Sequence, residues 1–85
     1  MAPLVLVVED EPPLAEMLCY NLEKADFRTV VALTGEEAIG RAEIEIPDLV
    51  VVDWMLPERS GLEVCRILRG KKETRHIPII MLTAR

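Results

Sequence analysis

An open α/β fold with a parallel sheet is the architecture that this sequence of 85 residues predicts. Three observations carry it. Short apolar runs alternate with stretches of helical periodicity, in the order strand, helix, strand, helix, strand, helix, strand. The runs Leu4-Val5-Leu6-Val7-Val8 and Leu49-Val50-Val51-Val52 are apolar at every position, as in strands covered by helices on both faces. Two capping signatures, Thr34-Gly35-Glu36-Glu37 and Ser60-Gly61-Leu62-Glu63, mark where helices begin.

The first strand spans residues 4–8. Pro12 and Pro13 then open a helix, at positions where a missing backbone N–H costs nothing. Along it Leu14, Leu18, Leu22 and Ala25 recur at spacings of four and three, the mark of one apolar face. Residues 27–33 read as a second strand, whose mixed polarity at Arg28-Thr29-Val30-Val31 suits a sheet edge. The first capping signature opens a helix over residues 35–45, which Pro47 ends. Residues 49–53 form the third strand. The second capping signature opens a helix that runs to about Arg69, with Gly70 as its stop. Pro78 introduces a fourth strand over residues 79–83.

Composition narrows the class. Apolar residues make up 51% of the chain and charged ones 29%, as in a small globular domain. No apolar run approaches the roughly 18 residues needed to span a bilayer, and no basic segment precedes the first strand as in a signal peptide. A soluble, cytoplasmic protein without membrane contact is expected. Residues 1–58 hold 3 basic and 13 acidic groups, whereas residues 59–85 hold 7 and 2. The basic part reads as a solvated helix and loop; with few aromatics and no sustained basic face, no direct contact with nucleic acid is expected. Cys19 and Cys65 fall inside helices, with no C-x-x-C spacing and no histidine beside them, which predicts thiols in or beside the core.

The chemistry lies at strand ends. The first strand leads into Glu9-Asp10-Glu11 and the third ends in Asp53. In open α/β sheets ligands bind outside the carboxyl ends of the strands, where strand order reverses. If the first and third strands are neighbours there, Glu9, Asp10 and Asp53 converge, and so much negative charge calls for a divalent cation, Mg²⁺ above all. One or two of these carboxylates and the backbone carbonyl of Met55 would hold it. Thr83 ends the fourth strand, with its hydroxyl toward the same pocket, and a hydroxyl with nearby N–H groups suits an incoming phosphoryl group. Phosphoryl transfer to a carboxylate follows. Asp53 is the expected acceptor, because the apolar run before it holds its backbone firmly; Glu9 and Asp10 go to the metal. Glu11 reads as an acid in the first helical turn, Trp54 as packing or pocket rim, and His76 as a solvated loop residue without a catalytic partner.

Four stretches now carry a resemblance: Leu6-Val7-Val8-Glu9-Asp10-Glu11; Pro47-Asp48-Leu49-Val50-Val51-Val52-Asp53-Trp54-Met55-Leu56-Pro57; Ser60-Gly61; and Ile77-Pro78-Ile79-Ile80-Met81-Leu82-Thr83-Ala84-Arg85. In order and spacing the chain resembles a response-regulator receiver domain, of the OmpR/PhoB subfamily. The resemblance implies a flavodoxin-like, doubly wound sheet in the order 2-1-3-4. It implies Asp53 as phosphoacceptor, Glu9, Asp10 and the Met55 carbonyl around Mg²⁺, Thr83 as the switch hydroxyl and the Ala84 N–H as a phosphate contact. It implies a sensor histidine kinase as phosphodonor, docking on the acidic pocket and the first helix.

Receivers continue with a fourth helix, a fifth strand and a fifth helix, and a lysine after that strand pairs with the phosphoryl group. No residue here matches that lysine; Lys71 and Lys72 precede the fourth strand. The expectation is a partial receiver over residues 1–85, lacking the fifth strand and the effector domain. Its first helix alone would cover one face of the sheet, and its fourth strand would present an apolar edge inviting self-association. Slow phosphorylation, or an inactive fragment, would follow from the absent lysine. Two other classes compete. A Mg²⁺-dependent hydrolase would often carry a second aspartate two residues after the first, where Met55 stands. A flavin-binding protein would want hydroxyls after the first strand, where Glu9-Asp10-Glu11-Pro12-Pro13 would repel a phosphate.

Overall fold

In a computed structural model, residues 1–82 are described. The chain forms β1 (Leu4–Val8), α1 (Pro12–Lys24), β2 (Arg28–Ala32), α2 (Gly35–Glu45), β3 (Leu49–Asp53), α3 (Gly61–Arg69) and β4 (Ile79–Leu82). All strand pairs are parallel, and the sheet order is β2-β1-β3-β4. The expected order and the edge position of β2 are thus both present. β1 and β3, the two all-apolar runs, sit in the middle, and every residue of β1 is buried. The expected Thr83 and Ala84 positions lie outside the described residues.

The two faces are packed unequally. On one, Leu6, Val8, Val50 and Val52 meet Ala38 and Ala42 of α2 and Val64 and Leu68 of α3. On the other, Val5, Val7 and Val51 meet Leu18, Cys19 and Leu22 of α1. Alternate residues of one strand therefore feed two cores, which is why the central strands are apolar from Leu4 to Val8 and from Leu49 to Val52. Among the described residues α1 is the one helix on the second face, and part of that face is open. Ile80, level with Val51 in the β3–β4 register, is 51% exposed. Both cysteines are free and partly buried, as their helical setting predicts.

The helix starts follow the capping chemistry with two differences. Thr34 Oγ1 accepts from the Glu37 N–H at 3.1 Å, and the Glu37 carboxylate accepts from the Leu33 N–H at 2.9 Å rather than from Thr34. Ser60 Oγ accepts from the Glu63 N–H at 3.2 Å, but the Glu63 carboxylate turns to Arg59 instead of closing the box. Glu11 is the N-cap of α1, not a residue of its first turn, and its side chain makes no capping bond. Because Pro12 and Pro13 carry no N–H, fewer donors there need a cap.

The end of α2 shows a departure from local preference. Ile46 adopts a left-handed conformation with φ 45° to terminate the helix, and its N–H bonds the Ala42 carbonyl at 3.0 Å. A β-branched residue is strained there, by about 1–2 kcal/mol. Replacing Ile46 by glycine, which adopts this conformation freely, is expected to raise stability by about 1 kcal/mol in denaturant unfolding. An unchanged or lower midpoint would mean that Ile46 packing outweighs the strain.

Candidate metal centre

Register delivers the acidic residues to one place. Val8 of β1 pairs level with Val52 of β3, so the next residues, Glu9 and Asp53, leave the sheet side by side. Glu9 is still held by the sheet, its N–H donating to the Ala32 carbonyl of β2 at 3.0 Å. The Trp54 N–H donates to the Leu82 carbonyl at 2.9 Å, which fixes the chain just past Asp53. Carboxylate oxygens of Glu9, Asp10 and Asp53 all lie within 4.8 Å of one another. At an effective dielectric near 20, two full charges at that separation repel by about 3 kcal/mol, so this arrangement favours either protonation or a cation.

Glu9 is the most constrained of the three. It is 1% exposed; its Oε2 accepts from the Glu11 N–H at 3.2 Å, while its Oε1 has no hydrogen-bond partner among the described residues. Burial pushes its carboxyl above the usual glutamate value of 4.5. The Glu11 N–H opposes that rise, and the negative neighbours Asp53 and Asp10 add to it. A buried carboxylate oxygen with no donor, beside two half-buried carboxylates, is what a hard divalent cation would satisfy. The donor set, all oxygen, fits Mg²⁺.

Asp53 is oriented by its own loop, because its Oδ1 accepts from the Met55 N–H at 3.3 Å. The Met55 side chain is exposed. Trp54, 46% exposed, stands beside Asp53 at the surface, and His76 is exposed in the loop before β4. An open cleft continues from Asp10 along the start of α1, lined by Glu11, Pro12, Pro13, Leu14 and Met17.

Two site-supporting roles were not read from the sequence. Gly61, taken as part of a capping signature, has a second duty. A Cβ added to it would lie 2.4 Å from the Asp53 carbonyl oxygen, and its N–H donates to the Trp54 carbonyl at 3.0 Å. Only a residue without a side chain lets α3 begin against the end of β3. Arg59 has the other; it reaches from the loop after β3 to Glu36 of α2 and Glu63 of α3. A lone arginine in a loop gives no sequence signal of that reach.

The family model for the response regulator receiver domain matches residues 5–85. The chain belongs to that family. It is 52% identical over 85 residues to the phosphate regulon transcriptional regulatory protein PhoB of Rhizobium meliloti, covering all of this chain and 37% of that protein. The chain thus spans little more than a third of the length of that curated relative. Among solved structures, the N-terminal domain of a response regulator receiver protein from Methanoculleus marisnigri superposes with a TM-score of 0.95. It is 33% identical and is matched over all of this chain and 69% of that one. A receiver domain of a sensor histidine kinase from Pseudomonas aeruginosa, described with a magnesium ion coordinated in its active-site cleft, superposes with a TM-score of 0.94. It is 29% identical, over all of this chain and 70% of that one. The α/β sheet in the order 2-1-3-4 is therefore the receiver, flavodoxin-like fold. Among the described residues no helix is long and apolar enough to cross a membrane.

Proposed function

We propose that this chain is the phosphoacceptor module of a two-component response regulator, a regulatory receiver rather than an enzyme in its own right. Asp53 is the acceptor. Glu9, Asp10 and Asp53, with the Met55 backbone carbonyl, are the Mg²⁺ ligands. The observation that carries the reading is the convergence of Glu9, Asp10 and Asp53 carboxylate oxygens within 4.8 Å of one another, with a buried Glu9 Oε1 that finds no partner among the described residues. When bound, Mg²⁺ would neutralise charge on the transferring oxygens. An Asp53 oxygen attacks the phosphorus of a phosphohistidine on a sensor kinase. The P–O bond forms as the P–N bond breaks, and the leaving imidazole regains a proton from solvent. The Thr83 hydroxyl and the Ala84 N–H are assigned to the phosphoryl group. The kinase is proposed to dock on the cleft from Asp10 to Met17 and on the exposed side of α1, where Met17 and Tyr20 face solvent.

The parent protein is read as a cytoplasmic, PhoB-like transcriptional regulator, with phosphate response as its field; this segment itself makes no contact with nucleic acid. The open β4 edge near Ile80 is a place for strand addition, by a following segment or by a second copy. Light scattering on the 85-residue chain separates the two, since a well-behaved monomer counts against the second.

The test is incubation with a small acyl phosphate and Mg²⁺, followed by intact mass. Slow uptake of one phosphoryl group, dependent on Mg²⁺ and lost in Asp53→Asn, is expected; uptake that survives Asp53→Asn would overturn the assignment of Asp53.

The Glu9 environment adds a pH dependence. A carboxyl raised in the folded state favours folding while protonated. That contribution is complete below the ordinary value of 4.5 and is lost as pH rises through the raised value. Mg²⁺ needs the ionised form, so it competes with the proton for Glu9. Saturating Mg²⁺, at about 100 times its Kd, is expected to stabilise the fold by about 2.7 kcal/mol near neutral pH. This gain should shrink as pH falls toward 4.5. Thermal unfolding with and without Mg²⁺ across that range measures it; a gain independent of pH would remove Glu9 from the site.

A further inference from the structure

The loop from Met55 to Ser60 is closed at its base, because the Gly61 N–H donates to the Trp54 carbonyl at 3.0 Å. Within it, Leu56 packs against the core shared by α2 and α3. The other half follows a strained path. Glu58 has φ 69°, and the Arg59 N–H donates to the Pro57 carbonyl at 2.6 Å, two residues back. A bond of that span around a left-handed residue is the rare form of the three-residue turn, and a glutamate there is disfavoured. Something must hold the turn in place.

Arg59 is placed to do so. Its Nε donates to Glu36 Oε2 at 2.9 Å, Nη2 donates to the same oxygen, and Nη1 donates to Glu63 Oε2 at 3.3 Å. Its side chain is 27% exposed, less than those of its partners Glu36 and Glu63. Gly35 makes room for it, since a Cβ there would come within 3.1 Å of Arg59 Cβ. Glu36 lies in the first turn of α2, three residues after Leu33, and β2 ends just before at Ala32, whose carbonyl receives the Glu9 N–H. The guanidinium therefore joins the loop that follows Asp53 to the segment that supports Glu9.

We infer that Arg59 is a positioning residue for the acidic site, an ionic clamp that holds the strained Pro57–Arg59 turn and so keeps Asp53 and the Met55 backbone presented to the cation. This deepens the function proposed above and rests on it. The pairs are partly solvated, so the effect is modest in size: Arg59→Ala is expected to weaken Mg²⁺ binding about threefold. Glu36→Gln should weaken it in the same direction, and the effects of the two substitutions should not add, because they break one contact. The sharpest consequence concerns Glu58. Glycine takes φ 69° without strain, so Glu58→Gly should restore Mg²⁺ affinity in the Arg59→Ala background.

The test is Mg²⁺ titration of the complete protein, read by the fluorescence of Trp54, the one tryptophan of this chain and the neighbour of Asp53. It is run on wild type, Arg59→Ala, Glu36→Gln, and Arg59→Ala with Glu58→Gly, with a thermal melt of each; a longer parent is read with any further tryptophan replaced. Weaker binding in Arg59→Ala, recovered by Glu58→Gly, supports the clamp. Unchanged affinity in Arg59→Ala, or a loss that Glu58→Gly does not recover, overturns it while leaving the metal centre standing. If wild type shows no Mg²⁺ response by fluorescence or by calorimetry, the metal centre itself fails and the clamp with it.

Discussion

Asp53→Asn is expected to abolish phosphoryl uptake while leaving the fold intact or firmer. The amide keeps the size of the side chain and can still accept from the Met55 N–H, which now meets Asp53 Oδ1 at 3.3 Å. It offers no anionic oxygen to attack phosphorus, so intact mass should show no phosphate at any donor concentration. The same change removes one of three crowded negative charges. Asp53 is among the groups that raise the Glu9 carboxyl, so Glu9 should ionise at lower pH in the variant. Without metal, stability at neutral pH should rise by about 1 kcal/mol, and the gain from Mg²⁺ should fall. Loss of phosphorylation together with a large loss of stability would point to a structural role for Asp53 instead.

Gly61→Ala is expected to have the largest effect on stability of any conservative change near the site. The added methyl would stand 2.4 Å from the Asp53 carbonyl oxygen and 3.2 Å from the Trp54 Cα. Both neighbours are backbone, and neither can turn away as a flexible side chain could. Relief requires α3 to move off the end of β3, breaking the Gly61 N–H bond to the Trp54 carbonyl and shifting Asp53 with it. A cost of about 2–3 kcal/mol is expected, with weaker Mg²⁺ binding in the molecules that remain folded. Denaturant unfolding and Mg²⁺ titration check the two parts. By contrast, Gly40 has open space around its added Cβ, and Gly40→Ala should be tolerated.

The central strands were legible in the sequence because burial on both faces demands apolar runs, and Leu4–Val8 of β1 and residues 49–52 of β3 are those runs. The site was legible for the same reason: the first carboxylates after those runs must emerge at the sheet edge. Glu9, Asp10 and Asp53 do meet there. What lay beyond reach depends on contacts between residues distant in sequence. Asp48 Oδ2 accepts from the Leu4 N–H at 2.8 Å and so caps the start of β1, a contact between residues 44 apart in sequence. Thr74 is fully buried because its hydroxyl donates to the Leu68 carbonyl at 2.7 Å, closing the end of α3 inside an otherwise polar loop. The left-handed turns at Ile46 and Glu58 carry residues that disfavour that conformation, so propensity pointed away from them. Met17 is exposed on α1, off the face that Leu18 and Leu22 turn to the sheet.

The claim on which the rest depends is that Glu9, Asp10 and Asp53 share one divalent cation. Its most direct test is a crystal soaked in Mn²⁺ and measured for anomalous scattering. The account predicts one strong peak among these three carboxylates, at about 2.1 Å from its nearest oxygen ligands. Well-ordered carboxylates at saturating Mn²⁺ with no peak between them, or a peak held by other residues, would contradict it.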